Sequence, residues 1–289
     1  MKPSKIATIM FSAFFLPAIL FPGAAHGSNI GIKLKLYGGL NYLSGGDLNE
    51  GLKGMTDYFD RYFWFFGLSR SGGKYNPAHL GMDFGGDVII QITPAIGVGV
   101  GAGYLQGTNK STLTYSPVAA DVKETARISA VPLRLGLYFT LPAGAWLNVN
   151  FHAGLGYYLA RMSYNLRRSI LAQWDNFDVH AEANGLGFQG GLGFEFKLTP
   201  TISLFLEGQG RYADIGGFKG SLDVTSSFGT HSSESGKLYY YHWTEAPLGT
   251  FPVVIVVTSA PSGPSSSNVR EAKIDFSGFS AVAGIIVRF

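Results

Sequence analysis

Five side chains in this chain could do electrostatic work together: Lys35, Asp87, Arg134, His152 and Glu207. They lie in five different runs where apolar residues alternate with small or polar ones, each on the polar side of its run. Counted from the tight turns, or from where the first run begins, all fall about six or seven residues in. If the runs are strands with the polar side inward, the five form one ionic layer across an interior. A charge taken out of water has to be paired, so Arg134 is expected to face Glu207 and Lys35 to lie beside Asp87. Such a layer can act as a gate or ion pathway, or fill the interior as a structural plug. An eight-stranded interior, just wide enough for side chains to fill, favours the plug.

The remaining histidines test for catalysis. His79, His180, His231 and His242 fall in connecting segments, and the "HSS" of His231–Ser233 lies in a polar stretch rich in Ser and Gly. Nucleophilic catalysis needs a nucleophile, a base and an orienting group together, and no spacing here brings them together. No catalytic residue, metal site or cofactor is expected. "GVGVGAG" (97–103) has a period of two, whereas a dinucleotide loop sets its glycines between a strand and a helix.

The elements that must carry the ionic layer are legible as alternation. Runs of about ten residues follow Ile30–Leu36, Phe84–Ile92, Val98–Tyr104, Val131–Phe139, Leu147–Tyr157, Leu186–Phe196, Ile202–Tyr212 and Phe279–Phe289, which makes eight strands. The connections 2–3, 4–5 and 6–7 are tight and contain proline. The others run long, approximately over 44–81, 108–126, 163–184 and 213–271. This predicts an all-β, antiparallel up-and-down barrel with short turns at one end and long loops at the other. In the last loop "KLYYYHW" and "FPVVIVV" could form a hairpin above the barrel or add two strands to it, giving ten; the second run lacks the alternation, which favours eight.

The apolar side is expected to face out, toward lipid. Charged residues are only 14% of the chain, and the alternate face is rich in glycine, which suits a narrow interior. Tyr42, Tyr104, Tyr157 and Tyr212 lie toward the loop ends of four strands, all on the apolar face, as an interfacial girdle requires. In hydrocarbon an unpaired backbone group costs several kcal/mol, so the last strand must pair with the first. That accounts for "AGIIVRF", an apolar run ending the chain at Phe289.

Lys2 and Lys5, the apolar run 6–21 and the small residues Ala25 and Gly27 read as a secretory signal peptide over 1–27, leaving 28–289 as one barrel domain. The formal net charge of +3 falls to +1 without those two lysines, and no basic tract for nucleic acid is present. The chain has no cysteine, which excludes disulfides and thiol chemistry.

With these features the chain resembles the small eight-stranded outer-membrane barrels of the OmpA, OmpX and OmpW type. Gly284, Val287 and Phe289 are similar to the terminal assembly signal of that superfamily, although Val282 stands where a polar residue is usual. The resemblance implies recognition by the barrel-assembly machinery, residence among outer-membrane lipids, and a structural or binding role at the cell surface. It also implies limited transport of small or hydrophobic solutes, with a small hydrophobic ligand as a candidate partner. A narrow porin-like channel and a lipid-modifying enzyme are the alternatives.

The first long loop adds a helix: Leu48, Leu52, Met55 and Phe59 have helical spacing, followed by the aromatic "YFWFFG". A short amphipathic helix is expected there, flat at the membrane interface or folded over the barrel mouth.

Overall fold

The computed structural model describes residues 31–289; the expected signal peptide lies outside them. The strands are β1 (Gly31–Leu43), β2 (Ser69–Gly72), β3 (Leu80–Gln91), β4 (Ile96–Ser116), β5 (Ala120–Pro142), β6 (Leu147–Ile170), β7 (Gln173–Lys197) and β8 (Ile202–Tyr212), followed by β9 (Asp214–Ile215), β10 (Lys219–Ser226), β11 (His231–Glu245), β12 (Gly249–Val257), β13 (Ser266–Glu271), β14 (Ile274–Asp275) and β15 (Gly278–Arg288). One helix, α1 (Asp47–Phe65), interrupts them.

Eight strands form an antiparallel ring in the order β1–β3–β4–β5–β6–β7–β8–β15, and β15 returns to β1. The closing register runs from Lys33 opposite Arg288 to Leu43 opposite Gly278, and the Phe289 N–H donates to Ile32 O at 2.9 Å. The terminal apolar run is therefore an internal staple of the sheet, with its backbone groups paired on both sides.

Two of the expected long loops are strands instead. Residues 108–126 and 163–184 continue β4–β5 and β6–β7 far beyond the other four ring strands, ending in turns at 117–119 and 171–172. β10 pairs with the upper part of β7, β11 with β10, and β12 and β13 with β11. The ten-strand alternative is thereby corrected: β11 and β12 extend this upper wall and never join the ring.

The upper wall is a curved sheet open on one side, and α1 fills the opening. Leu48, Leu52, Phe59 and Phe63 are buried among wall residues including Leu113, Tyr115, Val122 and Leu166. Gly51 and Gly54 let α1 touch β12: a Cβ on Gly54 would lie 2.0 Å from Pro252 O, and one on Gly51 would lie 2.7 Å from Val254 Cγ2. The first turn is fixed by Asp47, which accepts from Arg270 Nη2 at 2.7 Å and from the Lys273 N–H at 2.8 Å. An acid there also suits the positive end of the helix. At 19 residues the helix is longer than the spacing suggested, and its buried face packs within the upper wall.

Candidate functional site

The ring's interior is built from the inward alternate residues. From the turn end upward they form three polar levels. At the lowest, Glu195 pairs with Arg288 and accepts from Asn148 Nδ2 at 3.2 Å and Asn150 Nδ2 at 2.9 Å. In the middle, Lys35 Nζ lies 2.7 Å from Glu207 Oε2, while Gln209 Nε2 donates to Glu207 Oε1 at 2.8 Å. Arg134 Nη2 lies 2.9 Å from Asp87 Oδ1 and donates to Ala102 O at 3.0 Å and Gly86 O at 3.2 Å. At the top, Arg211 Nη1 donates to Asp83 Oδ2 at 2.9 Å, and Ser280 Oγ bonds to the same carboxylate at 2.7 Å.

All five residues expected in the ionic layer are in the interior, with the partners exchanged. Lys35 and Asp87 are directly opposite on β1 and β3, but Lys35 reaches past β15 to Glu207 on β8. Arg134, expected on Glu207, instead joins Asp87, two strands away. The reason is reach: in so narrow a ring a long side chain passes the neighbouring strand, and both pairs skip one. His152 places Nδ1 3.5 Å from Glu207 Oε1 and stacks on Tyr138 with ring centroids 5.5 Å apart. The pairs Asp83–Arg211 and Glu195–Arg288 were missed, although Asp83 and Arg211 share the inward parity of Asp87 and Glu207.

Inward glycines make room for this packing. A Cβ on Gly99 would lie 2.7 Å from the Tyr138 ring, one on Gly156 2.7 Å from the Tyr158 ring and one on Gly191 2.4 Å from His152 Cε1. Below the middle level a small recess of about 20 Å³ remains, lined by Lys33, Gln91, Thr140, Asn150 and His152 among others. Above the top level the mouth closes on apolar side chains: Leu43, Leu105, Ile128, Tyr158, Ile215 and Phe276 are all essentially inaccessible.

The outer face of the ring is apolar. Leu133, Leu135, Leu137, Phe139 and Leu141 of β5 are exposed, as are Leu186, Phe188, Leu192, Phe194 and Phe196 of β7. Tyr42, Tyr157 and Tyr212 are exposed at the upper margin; Tyr104 is partly covered because Arg127 Nη2 donates to its hydroxyl at 2.8 Å. Above this margin the pattern inverts. On β5 the outward residues become Ser129, Arg127, Thr125 and Lys123, while Ala130, Ile128, Ala126 and Val122 turn inward.

One acid breaks the apolar interior of the upper wall. Glu124 is 1% exposed, and neither carboxylate oxygen has a hydrogen-bond partner; the buried Thr56 Oγ1, Asn109 Nδ2 and Tyr164 hydroxyl are likewise unpartnered. Burial pushes its carboxyl up to about 8, with only the nearby Thr56 hydroxyl acting in the opposite direction.

The other histidines are scattered. His79 stacks on Tyr42 at 4.7 Å and His242 Nε2 lies 3.1 Å from the Tyr240 hydroxyl. His180 is exposed on β7. His231–Ser233 open β11 in the upper wall, so they are on a strand rather than in a loop, and outside the ring. Gly284 faces inward on β15 and Phe289 is exposed at its end.

No curated protein matches the chain. Among solved structures it is similar to the outer membrane protein OprG from Pseudomonas aeruginosa, at 13% identity over 91% of this chain and 97% of that one, with a TM-score of 0.36. The family model for the outer membrane protein beta-barrel domain matches residues 14–233. With that match over most of its length, the chain belongs to the outer membrane protein beta-barrel family.

Proposed function

We propose that this protein is an outer-membrane barrel whose ring crosses the bilayer as a closed wall and holds a rigid structural and binding platform at the cell surface. The observation that carries the reading is the inversion along single strands, from apolar-out below the tyrosine margin to polar-out above it. One strand obeys two opposite patterns only if its lower part is solvated by hydrocarbon and its upper part by water. Residues 1–27 direct export, Gly284, Val287 and Phe289 present the closing strand to the assembly machinery, and the protein is not an enzyme.

The lumen supports closure. Its buried charges stand in opposite-sign pairs at three levels, and the mouth above is apolar, so an ion would have to break buried pairs to pass. Planar-bilayer recording tests this. The purified protein should give no sustained conductance, and steady ohmic channels would overturn the closed reading in favour of a narrow porin. A second reading, limited passage of small or hydrophobic solutes, draws its support from the lower recess beside His152. A solute that alters His152 proton resonances in the detergent-solubilised protein would favour it.

A further inference from the structure

Above the tyrosine margin, the outward faces of β4, β5 and β6 carry Arg161, Arg127 and Lys110 first and then, four residues beyond Arg127, Lys123 opposite Arg167, all exposed. Arg127 is opposite Thr108 on β4 and Ser163 on β6. Lys110 is one diagonal step to one side of it, opposite Thr125, and Arg161 is one diagonal step to the other, opposite Ser129. Diagonal neighbours on a sheet are roughly 7–8 Å apart, so an anion lodged between two of these side chains can be held by both.

Their electrostatic balance is incomplete. Among the described residues neither Lys110 nor Arg127 has a carboxylate within ion-pair distance, and Arg127 donates only to the uncharged Tyr104 and Gln106. Lys123 stands directly opposite Arg167, a like-charge cross-strand pair that costs stability unless an anion joins it. Three acids border the patch: Asp121 and Glu182 pair with Lys123 at 3.5 Å and Arg161 at 3.0 Å, and Asp178, opposite Asn165, is one diagonal step from Arg167. The surplus is local: the next outward face, β7 with β10, presents Glu182, Asp178 and Asp223 beside Lys219 and His180.

We infer that this patch binds the phosphorylated headgroup of an anionic glycolipid in the outer leaflet, whose acyl chains lie along the apolar face directly below. The inference rests on the membrane-spanning reading and commits to a lipid because the cations continue an acyl-facing surface: Leu133 and Leu135 follow Arg127 down β5, and Leu159 and Tyr157 follow Arg161 down β6. Tyr104 joins the two surfaces, its ring on the lipid side and its hydroxyl bonded to Arg127. Ser129 and Ser163, partly exposed between the cations, add hydroxyl donors for phosphate oxygens.

The test compares retention of a diphosphorylated glucosamine-disaccharide lipid and its dephosphorylated form on the full mature protein in zwitterionic detergent, read by native mass spectrometry. Wild type should prefer the phosphorylated lipid, and K110Q/R127Q/R161Q should lower its affinity by about a hundredfold at low salt. A charge-matched control, K53Q/K237Q/K273Q, should keep the preference. Equal retention of both lipids by wild type, equal losses in the two triple variants, or full competition by millimolar inorganic phosphate would overturn the inference. Outer-membrane fractionation of wild type separates the two readings: correct fractionation without lipid preference removes only the headgroup site, whereas failure to fractionate removes both. If the triple variant does not fold, R127Q against R127K carries the test, with the preference lost in the first and kept in the second.

Discussion

Below the tyrosine margin, β5 buries Arg134, Tyr138 and Thr140 and exposes Leu133, Leu135 and Leu137; above it, the same strand buries Ala126, Ile128 and Val122 and exposes Arg127 and Lys123. The backbone pairing does not change across the margin. What changes is the medium on each side. Outside the lower ring a leucine costs nothing, and the narrow space inside is filled by charges set against charges of opposite sign. Above the margin water returns, and the ordinary rule of apolar inside and polar outside is restored. Secondary structure alone therefore does not set which residues are buried; two halves of one strand can carry opposite instructions.

The largest effects should come from separating charges in the lower region. Lys35→Ala or Glu207→Ala leaves its partner buried and unpaired, which should destabilise the barrel by about 3–5 kcal/mol. A double-mutant cycle locates the true partners. Lys35 with Glu207, and Arg134 with Asp87, should each show strong coupling in urea unfolding from lipid vesicles, whereas Arg134 with Glu207 should be close to additive. Strong coupling of the last pair would reinstate the pairing expected from sequence and remove the observed one.

Next in size is a charge placed on the outer face. Leu135→Arg should cost about 2–4 kcal/mol, while Thr125→Arg, ten residues up the same face, should cost less than about 0.5 kcal/mol. Equal effects at the two positions would mean that the face meets one solvent throughout, and the two-medium account would fail.

The sequence shows the lower region clearly and the upper one poorly, and this contrast has a physical origin. Large aliphatic residues such as Leu133, Leu135 and Leu137 mark a lipid-facing strand, and the tight turn near Pro142 fixes its start. In 120–130 the alternation persists, but the inward positions Ala120, Val122, Glu124, Ala126, Ile128 and Ala130 are mostly small and include an acid, set against Asp121, Lys123 and Arg127, which reads as a polar loop unless the inverted sense is sought. Parity puts Lys35, Asp87, Arg134, His152 and Glu207 on one side of their strands, and all five side chains are buried. It could not assign partners, because contacts within a narrow lumen depend on tilt and register, which no single strand encodes. The upper wall's completion by α1 was visible only as helical spacing, since its contact with Pro252 and Val254 spans some two hundred residues of chain.

Glu124 is the exception within the upper region, and pH should expose it. Its folded carboxyl titrates near 8 against an ordinary value of 4.5, so between those values the folded state holds a proton that the unfolded state has released. Stability of the upper wall should therefore fall as pH rises from about 4.5 to 8 and level off above, by an amount on the order of a few kcal/mol. Glu124→Gln should abolish the slope and leave the protein more stable than wild type at pH 8. Trp64, Trp174 and Trp243 all lie in the upper region, so fluorescence of a Trp146→Phe variant reports this region alone. An unchanged slope in Glu124→Gln would assign the effect to other groups.

The smallest effect is also the sharpest comparison, because it sets one kind of contact in both media. Lys53 Nζ lies 2.7 Å from Asp57 Oδ2 on the outer side of α1, the same separation as Lys35 to Glu207. The difference is exposure: about half of each side chain of the helical pair remains in water, against 4% and 3% in the lumen. In water the charges keep their hydration whether paired or not, and the pair is screened by salt. Lys53→Ala should therefore cost no more than about 0.3–0.5 kcal/mol, and the cost should vanish at high salt, whereas that of Lys35→Ala should persist. If both losses were similar in size and equally salt-sensitive, the lumen pairs would be hydrated, and the lower interior would be a watery passage rather than a plug.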